Sequence, residues 1–371
     1  MSLTAPLSIQ NIMKKLLSIL FLTGLACSLV AQQTENIVIV TLDGFRWQEL
    51  YSGADSLLID DSGYVENPEE LVEEFWDTDP IARRGMLMPF FWNTIAKKGQ
   101  LYGNRHYGNK VNCSNNMWFS YPGYNEILTG KPDDERINSN EKIANPNRTI
   151  LEILNGNKKY KGKVAAFGSW DVFPYIINEE RSNVPVNAGF DKATGTTTDR
   201  ERFLNRLQDE IRGPWGGVRL DVFTHHFAME YIKNNKPKVI YIAYGETDDF
   251  AHDGEYDQYL KSAHQTDAYI KELWEYLQSQ EEYHGKTTML ITTDHGRGTN
   301  PKETWKHHGT RIPNAGEIWF AVMGPQTPAS GELKSEAQYY QNQVAPTAMM
   351  LLGESFDLEG TGKPIAEAVE K

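Results

Sequence analysis

Five short apolar, β-rich runs recur along the chain: 36–41 (NIVIVT), 163–167 (KVAAF), 238–243 (KVIYIA), 288–292 (TMLIT) and 318–323 (IWFAVM). Runs this short and this uniformly apolar read as strands buried on both faces, because a half-exposed strand would alternate polar and apolar residues. Helix-like stretches lie between them, most clearly at 86–98, 149–154, 202–211, 221–233 and 256–278. Strands alternating with helices predict an α/β protein with a doubly wound, mostly parallel sheet and helices on both faces. Two stretches fall outside that alternation. Residues 51–84 are acidic and contain PEELVEEFW, and 170–217 are polar with few strand signals. Both are expected as insertions capping the catalytic edge, or else as plain surface decoration.

In open α/β sheets, ligands gather at the carboxyl ends of the strands. Asp43 closes the first run, in VTLDGF. Asp248 and His252, in ETDDFAH, follow the run at 238–243. Asp294 and His295, in TTDHG, follow the run at 288–292. A further pair, His307 and His308, stands in KHHG, with His308 the better candidate ligand and its neighbour a helper or substrate group. Carboxylates and imidazoles bind zinc and similar divalent ions, and six such ligands suffice for two ions, each with an open position. Asp248 and His252 are four apart, so a helical turn places both on one face, while Asp249 points elsewhere. Each short motif alone has a bland reading as a loop or helix-terminus residue. Their convergence on one sheet edge gives the set its meaning.

Ser120, in FSYPGYNEILTG, opens a predicted helix ended by Gly130. The positive end of a helix favours an alkoxide and a bound phosphoryl group, so Ser120 is either a nucleophile or a plain capping serine. A purely structural metal site in a non-catalytic surface protein has no need of that hydroxyl. The aromatic residues around it, Trp118, Phe119, Tyr121 and Tyr124, read as packing for the first two, with Tyr121 open between packing and stacking on a substrate ring.

The chain has 371 residues, 40% hydrophobic and 23% charged, with a net charge of −13. That length suits one large domain, 32–371, behind a leader. The acidic surface argues against binding nucleic-acid duplexes, although bound metal ions can still draw phosphate into a local site. Lys14 and Lys15 precede an apolar run ending near Val30, then Gln32 and Gln33. This reads as a signal peptide over 1–31, with Met13 the more usual start, and not as a membrane span. Cleavage after Ala31 gives an exported, periplasmic or secreted protein. Lipidation at Cys27 is the second route, disfavoured by Gly24. After cleavage Cys113 stands alone and reads as inert packing.

The ordered set TLDGF, S-x-P with ILTG, TDDFAH, TTDHG and HHG resembles the alkaline phosphatase superfamily, most of all its type I phosphodiesterase/nucleotide pyrophosphatase branch. FGSW at 167–170 and QVAPTAMMLLG at 343–353 extend the resemblance over nearly the whole mature chain. It implies an alkaline phosphatase-like fold and a zinc-dependent hydrolase of phosphoric esters working through a phosphoserine. One zinc would be held by Asp43, Asp294, His295 and the Ser120 oxygen, and the other by Asp248, His252 and His308. It also implies a phosphate-contacting asparagine one helix after the nucleophile, best matched by Asn140, with Asn138 competing. Departures widen the substrate class. Serine stands where the phosphodiesterase branch carries threonine, and Gly123-Tyr124 replaces the usual N-H. Tyr124 occupies the place of the arginine in the sulfatase C/S-x-P-x-R motif, so a formylglycine nucleophile is not expected. Alternatives on the same metal core are a phosphonate or sulfate ester hydrolase and a phosphoglycerate-mutase-like phosphotransferase.

Overall fold

A computed structural model describes residues 33–211 and 213–369. The signal peptide, the cleavage after Ala31 and the lipidation at Cys27 lie outside the described residues. Eleven strands form. They are β1 (Asn36–Leu42), β2 (Gln100–Tyr102), β3 (Asn109–Asn112), β4 (Val164–Gly168), β5 (Val186–Ala188), β6 (Val239–Tyr244), β7 (Thr287–Thr292), β8 (Glu317–Ile318), β9 (Phe320–Met323), β10 (Gly331–Glu332) and β11 (Ala337–Tyr340). The principal helices are α1 (Trp47–Ser52), α2 (Pro68–Phe75), α3 (Pro80–Leu87), α4 (Ser120–Thr129), α5 (Ile150–Gly156), α6 (Asp199–Glu210), α7 (Asp221–Asn235), α8 (Glu246–Asp253), α9 (Tyr256–Ser279) and α10 (Val344–Leu351).

The main sheet has eight strands in the order β10-β2-β9-β7-β1-β6-β4-β5, with a small sheet β11-β3-β8 beside it. In the main sheet only β9 runs against its neighbours. Every residue of β1, β6 and β7 is buried, as their unbroken apolar character requires. Alternate side chains of β1 enter two different cores. Val38, Val40 and Leu42 face one with residues of α7 and α9, and Ile37 and Ile39 face the other with residues of α4, α5 and α10. Helices therefore cover both faces, and the doubly wound architecture read from the sequence is the one observed.

Two stretches differ from their expected form. The helix expected over 86–98 breaks in the middle. Pro89 forces the residue before it out of the helical region, so α3 ends at Leu87 and Met88 sits at φ −127°, ψ 68°. The chain resumes as a π-helical turn, Phe91–Ile95. Its first free N–H groups, on Phe90 and Phe91, are accepted by the buried Asp267 carboxylate of α9 at 2.6 and 2.8 Å. The single strand expected over 318–323 splits at Trp319 into β8 and β9, which join different sheets. The Trp319 indole N–H donates to the Phe45 carbonyl at 2.9 Å and holds the crossover. The stretch 170–217 supplies β5, the edge strand parallel to β4. Within 51–84, Tyr51, Leu58, Ile59, Val65, Leu71 and Phe75 are buried in the core on the α9 face.

Candidate functional site

β7, β1 and β6 are neighbours, parallel and in near-level register: Leu42 pairs with Tyr244 and Thr41 with Thr292. Their carboxyl ends therefore deliver Asp43, Asp248 and Asp294-His295 to one place. The first group is Asp43, Asp294 and His295. His295 Nε2 lies 3.3 Å from Asp43 Oδ1 and 3.4 Å from Asp294 Oδ2. Each of these three atoms is buried and has no hydrogen-bond partner. The other end of each side chain is tied down. Asp43 Oδ2 accepts from the Tyr124 hydroxyl at 2.8 Å, Asp294 Oδ1 accepts from the Gly44 N–H at 3.0 Å, and His295 Nδ1 donates to the Gly296 carbonyl at 3.0 Å. With Nδ1 spent as a donor, Nε2 is the ring nitrogen turned toward both carboxylates. One oxygen of Asp43 and one of Asp294 therefore both contact Nε2, an arrangement that a cation or a proton relieves.

The second group is Asp248, His252 and His308. His252 Nε2 is 3.2 Å from Asp248 Oδ2 and 2.9 Å from His308 Nε2, and His308 Nε2 is 3.7 Å from Asp248 Oδ1. The Asp248–His252 spacing falls on α8 as expected. His308 is turned by its Nδ1, which donates to the Trp118 carbonyl at 3.2 Å, so its Nε2 faces the cluster while His307 is exposed. Asp249 is not among the converging donors. The two groups touch. Asp248 Oδ1 is 3.8 Å from His295 Nε2, and the His295 and His308 rings stack at 3.9 Å. Asp248 thus stands between both groups, although the sequence suggested a place only in the second. Among the described residues, two sets here have the donor identity and proximity that a divalent ion requires: Asp248 with His252 and His308, and Asp43 with Asp248 and His295.

Electrostatics match this picture. Burial raises Asp43 and Asp294, and repulsion raises them further, from Asp248 on Asp43 and from Asp43 on Asp294. Burial pulls His295 down, yet Asp294, Asp43 and Asp248 outweigh it and push the imidazole up to about 9. Burial alone would raise Asp248, but Arg297 beside it, with His252 and His308, holds it well below the usual carboxylate range. Arg297 was not anticipated from the sequence. Its guanidinium pairs with Asp248 Oδ1, while Nε and Nη2 donate to the Trp305 and Lys306 carbonyls at 2.8 and 2.6 Å. One side chain thereby anchors Asp248 and the loop leading to His308. Its position directly after DHG was the available signal.

Ser120 is the first residue of α4, and the N-cap is Phe119, without a side-chain cap bond. Ser120 is 5% exposed. The start of α4 packs on Asp294 and Asp43, and the segment just before it reaches His308. A Cβ on Gly123 would lie 2.3 Å from the Asp294 carbonyl oxygen, which explains glycine after Pro122. Tyr124 reaches Asp43, and two residues before Ser120 the Trp118 carbonyl holds His308. Trp118 itself has φ 51°, an uncommon value for a residue with a side chain, over Gly316. Asn140 Oδ1 accepts the Tyr121 N–H at 3.0 Å, beside Ser120, whereas the Asn138 amide donates back to Glu135 within its own loop. Tyr121 is packing: it is 2% exposed, and its hydroxyl donates to the Ile143 carbonyl at 2.6 Å. Cys113 is buried, and burial pushes its thiol well up, so it is no nucleophile.

A parallel sheet wrapped on both faces, with carboxylates and imidazoles gathered at its carboxyl edge beside a helix-initial hydroxyl, defines the alkaline phosphatase class of fold. The sulfatase family model matches residues 35–354, and the chain belongs to that family, a member of the alkaline phosphatase superfamily. Solved structures share the fold. The chain is similar to the alkaline phosphatase PafA (12% identity, 91% of this chain and 99% of that one, TM-score 0.59). It is also similar to BT1596, a 2-O GAG sulfatase (13%, 91% and 74%, 0.55). A third is the phosphonate monoester hydrolase SpPMH from Silicibacter pomeroyi (12%, 90% and 76%, 0.54). No curated protein sequence matches. At these identities the likeness is one of fold, and it does not distinguish the narrower phosphodiesterase branch. Among the described residues, no helix is long and apolar enough to cross a membrane.

Proposed function

We propose that this protein is an exported, two-zinc hydrolase of phosphoric esters with Ser120 as nucleophile. The observation that carries the reading is the trio of buried, unpartnered atoms, Asp43 Oδ1, Asp294 Oδ2 and His295 Nε2, against the helix that Ser120 begins. Asp43, Asp294 and His295, with the Ser120 oxygen, would hold one ion, and Asp248, His252 and His308 the other. Ions bound there would neutralise charge on the phosphoryl oxygens and lower the pKa of the Ser120 hydroxyl. Ser120 Oγ attacks phosphorus in line. The new P–Oγ bond forms as the bond to the leaving oxygen breaks; the Ser120 hydroxyl proton passes to water, and the departing oxygen takes a proton from water to leave as the alcohol. Water then attacks phosphorus of the phosphoserine, returning the hydroxyl and releasing phosphate or a phosphomonoester. The Ser120 N–H, the one first-turn amide of α4 not engaged by Asn140 or Phe119, would stabilise charge building on the equatorial oxygens. Asn140, its Oδ1 committed to Tyr121, offers its amide Nδ2 as a further donor to them.

A second reading, a sulfate or phosphonate ester hydrolase on the same residues, is favoured by the family match and by the sulfatase and phosphonate hydrolase of like fold. Against the sulfate version, Tyr124 stands in the arginine position and its hydroxyl is committed to Asp43. Assays on p-nitrophenyl phosphate, its bis-ester, a phenylphosphonate ester and p-nitrophenyl sulfate separate these. Turnover is expected on the phosphoric esters, and preference for the sulfate would sink the leading proposal. Ser120→Ala is expected to abolish turnover while zinc stays bound. Full rate in that variant would remove Ser120 from its role.

A further inference from the structure

A third group of donor side chains meets between α7 and α9, apart from the cluster described above. His225 and His226 come from α7 and Glu272 from α9. His225 Nε2 is 3.2 Å from Glu272 Oε2, and one donor atom from each of the three residues lies within 4.8 Å of the others. His225 is fully buried. Its ring stacks on Tyr269 at 4.4 Å and 17°, and its Nδ1 contacts the Tyr244 hydroxyl at 3.0 Å. The ring is thus fixed from behind, as metal-bound imidazoles are, and Nε2 is presented to the gap. His226 follows with its ring centroid 5.1 Å away, and its Nδ1 is buried without a hydrogen-bond partner.

We propose that His225, His226 and Glu272 form a further metal site taking a zinc-like divalent ion, with water completing the tetrahedron. Two imidazoles and one carboxylate suit zinc and its neighbours, whereas calcium and magnesium want oxygen donors. Bonds of about 2.1 Å in a tetrahedron set donors about 3.4 Å apart. The His225–Glu272 separation already meets this, and Glu272, 52% exposed, is free to swing toward His226. Burial lowers both imidazoles, His225 to about 4, which leaves neutral rings with available lone pairs at neutral pH. The basic neighbours Arg200 and Lys233 both pair with Glu230, at 3.1 and 3.3 Å, which offsets one of their two charges. The ion's role is structural. It clamps α7 to α9 over Tyr244, the last residue of β6, after which α8 carries Asp248.

The test uses the full chain, saturated with zinc and freed of excess by gel filtration. Metal counting is expected to give one ion fewer per chain in Glu272→Gln and in His226→Gln than in the wild type, with phosphoric ester hydrolysis unchanged in both. A crystal of the wild type is expected to show a zinc-edge anomalous peak about 2.1 Å from His225 Nε2. Equal counts in wild type and variants, or no peak between α7 and α9, overturn the proposal. His308→Ala is expected to lose turnover yet keep that peak, so failure at either place is read separately.

Discussion

At the scale of single residues, the side chains behind the ligands carry as much of the design as the ligands do. Arg297 fills its fork with one carboxylate and two carbonyls, geometry that a lysine ammonium cannot reproduce. Two lost hydrogen bonds from a charged donor, each contributing about 1.5 kcal/mol, predict that Arg297→Lys loses about 3 kcal/mol of stability in urea unfolding. Weaker zinc binding by Asp248 and His308 is expected alongside. Tyr124→Phe removes the donor to Asp43 Oδ2. Its kcat/KM is expected to fall about tenfold, roughly 1.4 kcal/mol, with the fold intact, as steady-state kinetics and circular dichroism would check. Both roles escaped the sequence for a physical reason. An arginine in a loop reads as solvated, and a tyrosine in an apolar helix face reads as packing, until a distant strand end is set beside them. His308, preferred over His307 from the sequence, owes its orientation to the Trp118 carbonyl 190 positions away.

At the scale of elements, what was legible follows from how local each signal is. The runs at 36–41, 238–243 and 288–292 are buried on both faces, so composition alone exposed them, and the ligands at their ends came with them. β3, β5 and β11 are short and carry polar residues, and they exist only through partners far along the chain. The break at Pro89 was locally visible but masked by helical periodicity on either side. Asp267, which receives the chain after that break, gives a pH test. Burial pushes its carboxyl up to about 6, although the Phe90 and Phe91 N–H groups pull it down. Between pH 4 and 6 the folded protein keeps a proton that the unfolded chain has released. Its stabilising contribution is therefore complete below pH 4 and fades as pH rises through 6. The stability advantage of wild type over Asp267→Asn is expected to shrink by about 3 kcal/mol from pH 4 to 7 in urea titrations, and a pH-independent difference would refute this.

At the scale of the whole molecule, the carboxyl edge concentrates three aspartates and three histidines in a small volume that hydrophobic burial holds shut. Zinc is expected to stabilise the fold by about 1.4 kcal/mol per ion for each tenfold rise in free zinc above its dissociation constant. Urea midpoints measured across a zinc buffer series check this, and midpoints indifferent to zinc would contradict the ligand assignment. Asp248 has a consequence of its own here. Because one carboxylate faces both groups of donors, a first cation bound at either would settle the rotamer and the charge that a second one meets. The affinities of the two proposed ions are therefore expected to be linked, and a stepwise zinc titration is expected to yield two unequal constants.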